Sequence, residues 1–149
     1  MAATADPGAE IAGLLRRLQE ANSALLNGDA VRYFALASHS PDFILMTPFG
    51  GLTRDPDHSE EAVERMSRFF RGGRSDIELV QAELSGDLAL LVTIEHQRVA
   101  VGGLPDQDWS LRVTQAFRRE GGAWKLVHRH ADPLVRGISL EQSAALARG

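Results

Sequence analysis

Apolar residues recur at helical spacing through Ile11, Leu14, Leu15, Leu18, Leu25 and Leu26, which predicts a first helix. Asp6 before Pro7 supplies its N-cap and first turn, and Asn27-Gly28 supplies its stop. Asp29 caps a second, short helix carrying Val31, Tyr33, Phe34 and Leu36, which should end before Ser40-Pro41 because a residue ahead of proline avoids the helical region. A strand is expected over 42–47, broken at Pro48-Phe49-Gly50-Gly51, with a brief return strand over 52–54. Asp57 and Glu60 resemble a capping box opening a third helix through Val63, Met66, Phe69 and Phe70 to a stop at Gly72-Gly73.

The period then changes to two. Segments 77–84, 88–101, 111–119 and 123–131 read as four strands of an antiparallel meander, joined by turns rich in glycine and aspartate. Ser139 with Gln142 predicts the cap of a short final helix in the tail. Helices first and an antiparallel sheet afterwards define an α+β fold class: a cone-shaped, strongly curved antiparallel sheet packed against the N-terminal helices and enclosing a pocket at its open end. A chain of 149 residues fits one domain over 1–149, with a core from about residue 10 to 133 and tails over 1–9 and 134–149.

Composition narrows the classes. The absence of cysteine excludes disulfides, thiolate metal sites and cysteine nucleophiles, and a cytoplasmic home is the simplest expectation. The first residues lack a charged n-region followed by an apolar block, and no run reaches the length of a membrane span. A net charge of -4 with acids and bases interspersed leaves no basic stripe, so neither nucleic acid nor membrane is expected as a partner.

Candidate chemistry follows from strand register. With Gly121-Gly122 as a two-residue turn, Phe117 faces Leu126, Gln115 faces His128 and Val113 faces His130. One face then carries Leu111, Val113, Gln115, Phe117, Trp124, Leu126, His128 and His130, and its apolar majority should turn it inward. Arg112, Thr114 and Arg129 fall on the opposite face, which is expected to be hydrated or dimer-forming; a one-residue bulge would exchange the faces. On the strand from Leu88, the set Leu90, Val92, Ile94, His96 and Arg98 is more apolar than Leu91, Thr93, Glu95 and Gln97, and is expected to face in. That places His96 and Ile94 near Gln115 and His128. Tyr33 and Thr47 are polar candidates at the pocket mouth, and Phe49 a lip above it.

The order of elements, with Leu26-Asn27-Gly28-Asp29, then 42–47 running into Pro48, then the meander closing on Trp124 to Asp132, resembles the nuclear transport factor 2-like superfamily, in its SnoaL-like and ketosteroid-isomerase-like branch. The resemblance implies a small-molecule ligand and a homodimer formed through the outer sheet face. Members include isomerases, dehydratases, cyclases, epoxide hydrolases and non-catalytic modules, so the fold leaves activity open. The ketosteroid isomerase pattern is not met: its aspartate base falls at Thr47, its oxyanion-hole aspartate near Gln115 and its tyrosine near Ala21. The Asp-Arg-Asp arrangement of limonene epoxide hydrolases is not evident, and the His-His-His-Ser-Ser strand of a metal-free carbonic anhydrase-like group is replaced by His128-Arg129-His130-Ala131-Asp132.

Two functions are expected from these residues. One is a cofactor-independent isomerase, dehydratase or cyclase acting on a small apolar metabolite. In it His128 serves as acid or base, His130 and His96 are its partners, Gln115 polarises an oxygen, and Tyr33, Thr47, Phe49, Val113 and Ile94 line the pocket. The other is a non-catalytic ligand-binding or dimerisation module with structural histidines. Three histidines raise zinc, but their spacing fits no local metal motif, so no metal and no cofactor is expected.

Overall fold

The computed structural model describes residues 6–149. Helix α1 spans Pro7–Leu26, with the Asp6 carboxylate accepting from the Gly8 N–H at 3.1 Å, and α2 spans Ala30–Leu36 with Asp29 as its cap. Strands β1 (His39–Thr47) and β2 (Gly50–Arg54) form a hairpin, followed by α3 (Glu60–Phe69). The sheet continues through β3 (Phe70–Ser85), β4 (Leu88–Val101), the short β5 (Gln107–Asp108), β6 (Leu111–Glu120) and β7 (Ala123–Pro133), and α4 (Leu140–Ala147) closes the described chain.

The fold is α+β: four helices and a seven-stranded sheet in the order β2-β1-β7-β6-β4-β3, with β5 on β4. The expected meander is present, but the sheet is mixed rather than wholly antiparallel, because β1 lies parallel to β7. Sequence pattern finds strands and adjacent hairpins; it carries no local signal for a strand that returns across the helices to an edge. The cap of α3 is also displaced. Ser59 accepts from the Ala62 N–H, and Asp57, two residues earlier, accepts from the Ser59 N–H.

The glycines after α3 do not stop a helix. They lie within β3, which starts at Phe70, and Gly73 marks where this strand crosses the end of α1. A Cβ on Gly73 would stand 2.5 Å from the Leu26 Cβ and 2.9 Å from the Val99 Cγ2, so close backbone approach requires glycine here.

Leu14 and Leu18 of α1 pack on Phe43, Ala89, Leu91, Phe117 and Leu126, all buried. Each such large side chain contributes about 1.5–3 kcal/mol. Smaller clusters, Leu26 with Val99 and Val101, and Leu111 with Val113 and Ala131, share Trp109 at their edges. Among the described residues, no helix is long and apolar enough to cross a membrane.

Candidate functional site

The register of the last hairpin decides which side chains enter the cone. Gly121 and Gly122 both have positive φ, 58° and 80°, as a tight hairpin turn demands. Beside it Phe117 pairs with Leu126 as the sequence predicts. Beyond that point the pairing changes: Ala116 faces His128, Gln115 faces Arg129, Thr114 faces His130 and Val113 faces Ala131. Val127 is left as a bulge, and because side chains alternate, one extra residue exchanges the faces of everything after it. Arg129 and Ala131 therefore turn inward and His128 and His130 outward, against the expected arrangement.

A second reversal occurs on β4. Ala89, Leu91, Thr93, Glu95, Gln97, Val99 and Val101 are the buried face, and Leu90, Ile94 and His96 lie on the other. The larger apolar content of the even-numbered set reflects an exposed apolar sheet surface, where Leu88 and Val80 are each 56% exposed. A signal for the true orientation was present in the second half of the strand. The odd-numbered face ends in Val99 and Val101, the even-numbered face in His96, Arg98 and Ala100.

Together these reversals build a cavity of about 340 Å³ between α1, α2, α3 and the inner sheet face, within the range of small-ligand sites. Its walls are largely apolar: Leu25 and Leu26 from α1, Leu45 and Met46 from β1, Met66 and Phe69 from α3, with Trp109 and Leu111. Phe49 stands at the rim, its ring 5.8 Å from Trp109 and 6.0 Å from Phe69. The hydroxyl of Thr47 accepts from the Phe49 N–H and donates to the Gly50 carbonyl, both at 3.3 Å, so it shapes the turn that carries this rim.

At the inner end lies a polar group that the sequence reading missed. Arg129 meets Glu95 in a bidentate pair, Nη1 to Oε2 at 2.9 Å and Nη2 to Oε1 at 2.8 Å, and the Glu95 side chain is only 2% exposed. Gln97 Nε2 donates to Glu95 Oε1 at 2.9 Å. Burial disfavours the carboxylate, but the charge and hydrogen bonds of Arg129 outweigh it and hold Glu95 below the ordinary carboxylate range. Burial likewise opposes the charge of Arg129, and Glu95 more than restores it. Tyr33 lines the cavity from α2; burial, opposed by Arg129 and reinforced by Glu95, pushes its phenol up and keeps it protonated. Asn22 is buried on the same wall. Its amide lies near enough to favour the Glu95 carboxylate, yet no hydrogen bond of good geometry reaches its Nδ2.

Of the residues singled out by sequence, Tyr33, Thr47 and Phe49 line this cavity. Gln115 and Val113 are buried and point inward but pack within the core beside it, and Gln115 Oε1 has no partner. Ile94 faces outward. The three histidines are not brought together. The His96 Nε2 lies 2.7 Å from Glu78 on the outer face, His128 Nδ1 donates to the Ile44 carbonyl at 3.0 Å, and His130 Nε2 lies 3.3 Å from Asp132. Among the described residues no cluster of three or more His, Asp or Glu side chains is arranged as metal ligands.

A family model described as a SnoaL-like domain matches residues 15–135, most of the chain. The chain belongs to the SnoaL-like domain family. Its fold is that of the NTF2-like proteins. This SnoaL-like chain is similar to an NTF2-like protein of Cytophaga hutchinsonii at 12% identity and a TM-score of 0.65, covering 87% of this chain and 100% of that one. It is similar to a candidate scytalone dehydratase of Novosphingobium aromaticivorans at 15% identity and a TM-score of 0.69, covering 87% and 96%. The association domain of the Caenorhabditis elegans kinase CaMKII matches at 14% identity and a TM-score of 0.60, covering 84% and 96%. These likenesses show the fold alone. No curated protein matches the sequence.

Proposed function

We propose that this SnoaL-like chain binds a small, predominantly apolar molecule bearing an oxygen function, with the oxygen at the Asn22–Tyr33–Arg129 end of the cavity. The observation that carries the reading is an apolar cavity whose inner wall holds a buried ion pair beside the Tyr33 phenol and the Asn22 amide. A second reading is supported by the same wall. Tyr33 is held protonated and Glu95 ionised within one cavity, a donor and an acceptor of the kind that cofactor-independent isomerases and lyases use. The comparison with a candidate dehydratase is consistent with it. Histidine acid-base chemistry is not part of either reading, because His96, His128 and His130 face away from the cavity.

One experiment tests both. With Trp124→Phe, Trp109 on the cavity wall becomes the sole tryptophan, and titration with neutral probes such as 2-acetylnaphthalene and 1-naphthol should quench its emission. Leu25→Phe, which narrows the cavity, should weaken that quenching at least tenfold. Quenching by neither probe would overturn the binding reading. In deuterated water, faster exchange of the ketone's methyl protons that disappears in Tyr33→Phe supports the enzymatic reading, and exchange at the solvent rate removes it.

Homodimerisation through the outer sheet face is the second part of the proposal. Val80, Leu88, Leu90, Val92 and Ile94 form a continuous apolar stripe there, rimmed by His130, Asp132 and Arg112. Sedimentation should show a dimer that Leu90→Asp converts to monomer; a monomeric wild type would refute it.

A further inference from the structure

The tail ends in a helix that is well capped and buries none of its side chains. The Ser139 hydroxyl accepts from the Gln142 N–H at 3.1 Å, and the Ser139 N–H donates to Gln142 Oε1 at 2.9 Å, completing the capping box of α4. Yet Leu140 and Leu146 stand 80% and 76% exposed. Eight residues are too few to hold a helix in water without a packed face, so α4 calls for a surface that covers it. Around its axis Leu140, Ala144, Ala147 and Leu146 fall to one side, and Glu141, Gln142 and Ala145 to the other.

The place where the tail leaves the domain decides which surface that is. The Leu134 N–H donates to the Ser110 carbonyl at 2.9 Å, and beyond it the hydrogen bonds of residues 139–149 stay within the tail. Pro133, Leu134 and Arg136 border a groove with Trp109 and Leu111, and the same Trp109 and Leu111 belong to the cavity wall. The tail therefore departs on the cavity side of the sheet, away from the outer apolar stripe. The link from Leu134 to Leu140 reaches roughly 20 Å when extended. That spans the mouth from Trp109 to Phe49, whose rings are 5.8 Å apart. The rim there is uncovered: Phe49 is 66% exposed, and the exposed ring of Phe69 stands against it. From this placement we propose that residues 134–149 form a strap and that α4 closes the mouth of the cavity, laying Leu140 and Leu146 on Phe49, Phe69 and the molecule held beneath. In the structure the strap is drawn back, since no residue of α4 lines the cavity. A bound molecule enlarges the apolar surface that α4 covers and so favours the closed position. In its hold on a ligand, the inference rests on the cavity being a ligand site, as proposed above.

The chain has no cysteine, so Ala145→Cys on the outward side of α4 takes a single nitroxide label. The label should broaden the Trp109 indole N–H resonance in the free protein, and broaden it further with 2-acetylnaphthalene. Leu140→Gln/Leu146→Gln, which keeps a good helix former at both positions, should restore that resonance. In the Trp124→Phe background the same pair should speed release of 2-acetylnaphthalene, read by recovery of Trp109 emission, about five- to tenfold. The urea midpoint should stay as it was, because neither leucine is buried. An indole signal indifferent to the double variant, or release at the unchanged rate, overturns the strap and leaves the cavity reading standing. Broadening in isotope-labelled chains without nitroxide, mixed with spin-labelled ones, would seat α4 on a second copy and also overturn it. Failure of the probe to bind overturns the cavity reading, and the nitroxide comparison in the free protein then decides the strap by itself.

Discussion

Arg129→Met should destabilise the fold by about 3–5 kcal/mol, because it leaves the Glu95 carboxylate buried without its counter-charge. Glu95 is 1% exposed, and the remaining Gln97 donor cannot replace two charge-assisted hydrogen bonds. The midpoint of urea unfolding at neutral pH reads the loss, provided the slope of the transition is unchanged. The double variant Glu95→Gln/Arg129→Met should recover most of it, since no charge is then buried. That recovery distinguishes an uncompensated ion from simple loss of packing. A single variant within about 1 kcal/mol of wild type would mean that water reaches the pair.

The second large effect is a dependence on pH set by His39. This ring stacks on Phe43 with centroids 4.0 Å apart, His58 lies 5.4 Å away, and neither ring nitrogen has a hydrogen-bond partner. Burial first, then the charges of His58 and Arg129, lower its pKa from 6.5 to about 4. Between those values the unfolded chain holds a proton that the folded chain refuses. Stability should therefore be full above about pH 6.5, decline as pH falls, and stop declining on this account below about 4. The loss should reach about 2 kcal/mol, less than the whole shift implies because the ring keeps some contact with water. His39→Phe, which preserves the stack, should flatten the curve between pH 6.5 and 4.5. An unchanged slope in that variant would assign the effect elsewhere. Glu95 contributes in a separate window: its depressed pKa makes the ion pair effective above the carboxylate range and weakens it as pH falls through that range.

Local chemistry made much of this fold legible. Asp6-Pro7 opens α1 and Asp29 caps α2 as read, β4 has the bounds 88–101 that its alternation predicts, and Ser139 and Gln142 form the capping box of α4. The turn at Gly121-Gly122 and the pairing of Phe117 with Leu126 were equally readable, because a short hairpin's register is set by its turn. The site was less so. Tyr33, Thr47 and Phe49 sit beside helix and turn signals that place them, whereas Arg129 and Glu95 enter the cavity through a bulge and a strand orientation that depend on distant partners. The apolar count on β4 misled for a physical reason: a sheet with an exposed apolar outer face has no single hydrophobic side to follow. A buried glutamate and arginine also look like surface residues until their pairing is seen.

The bulge at Val127 gives the strand an unusual economy of change. Upstream of it β7 keeps one parity and downstream the other, so pairing the same residues without the bulge would put Arg129 on the outer surface and carry His128 and His130 into the cone, whereas deleting Val127 would leave all three on their present faces. Two chains of this fold with the same strand residues, one bulged and one regularly paired, would then present a guanidinium or a pair of imidazoles to whatever occupies the interior. Divergence of ligand chemistry along such a lineage needs no new side chain, only a shift in reading along one strand.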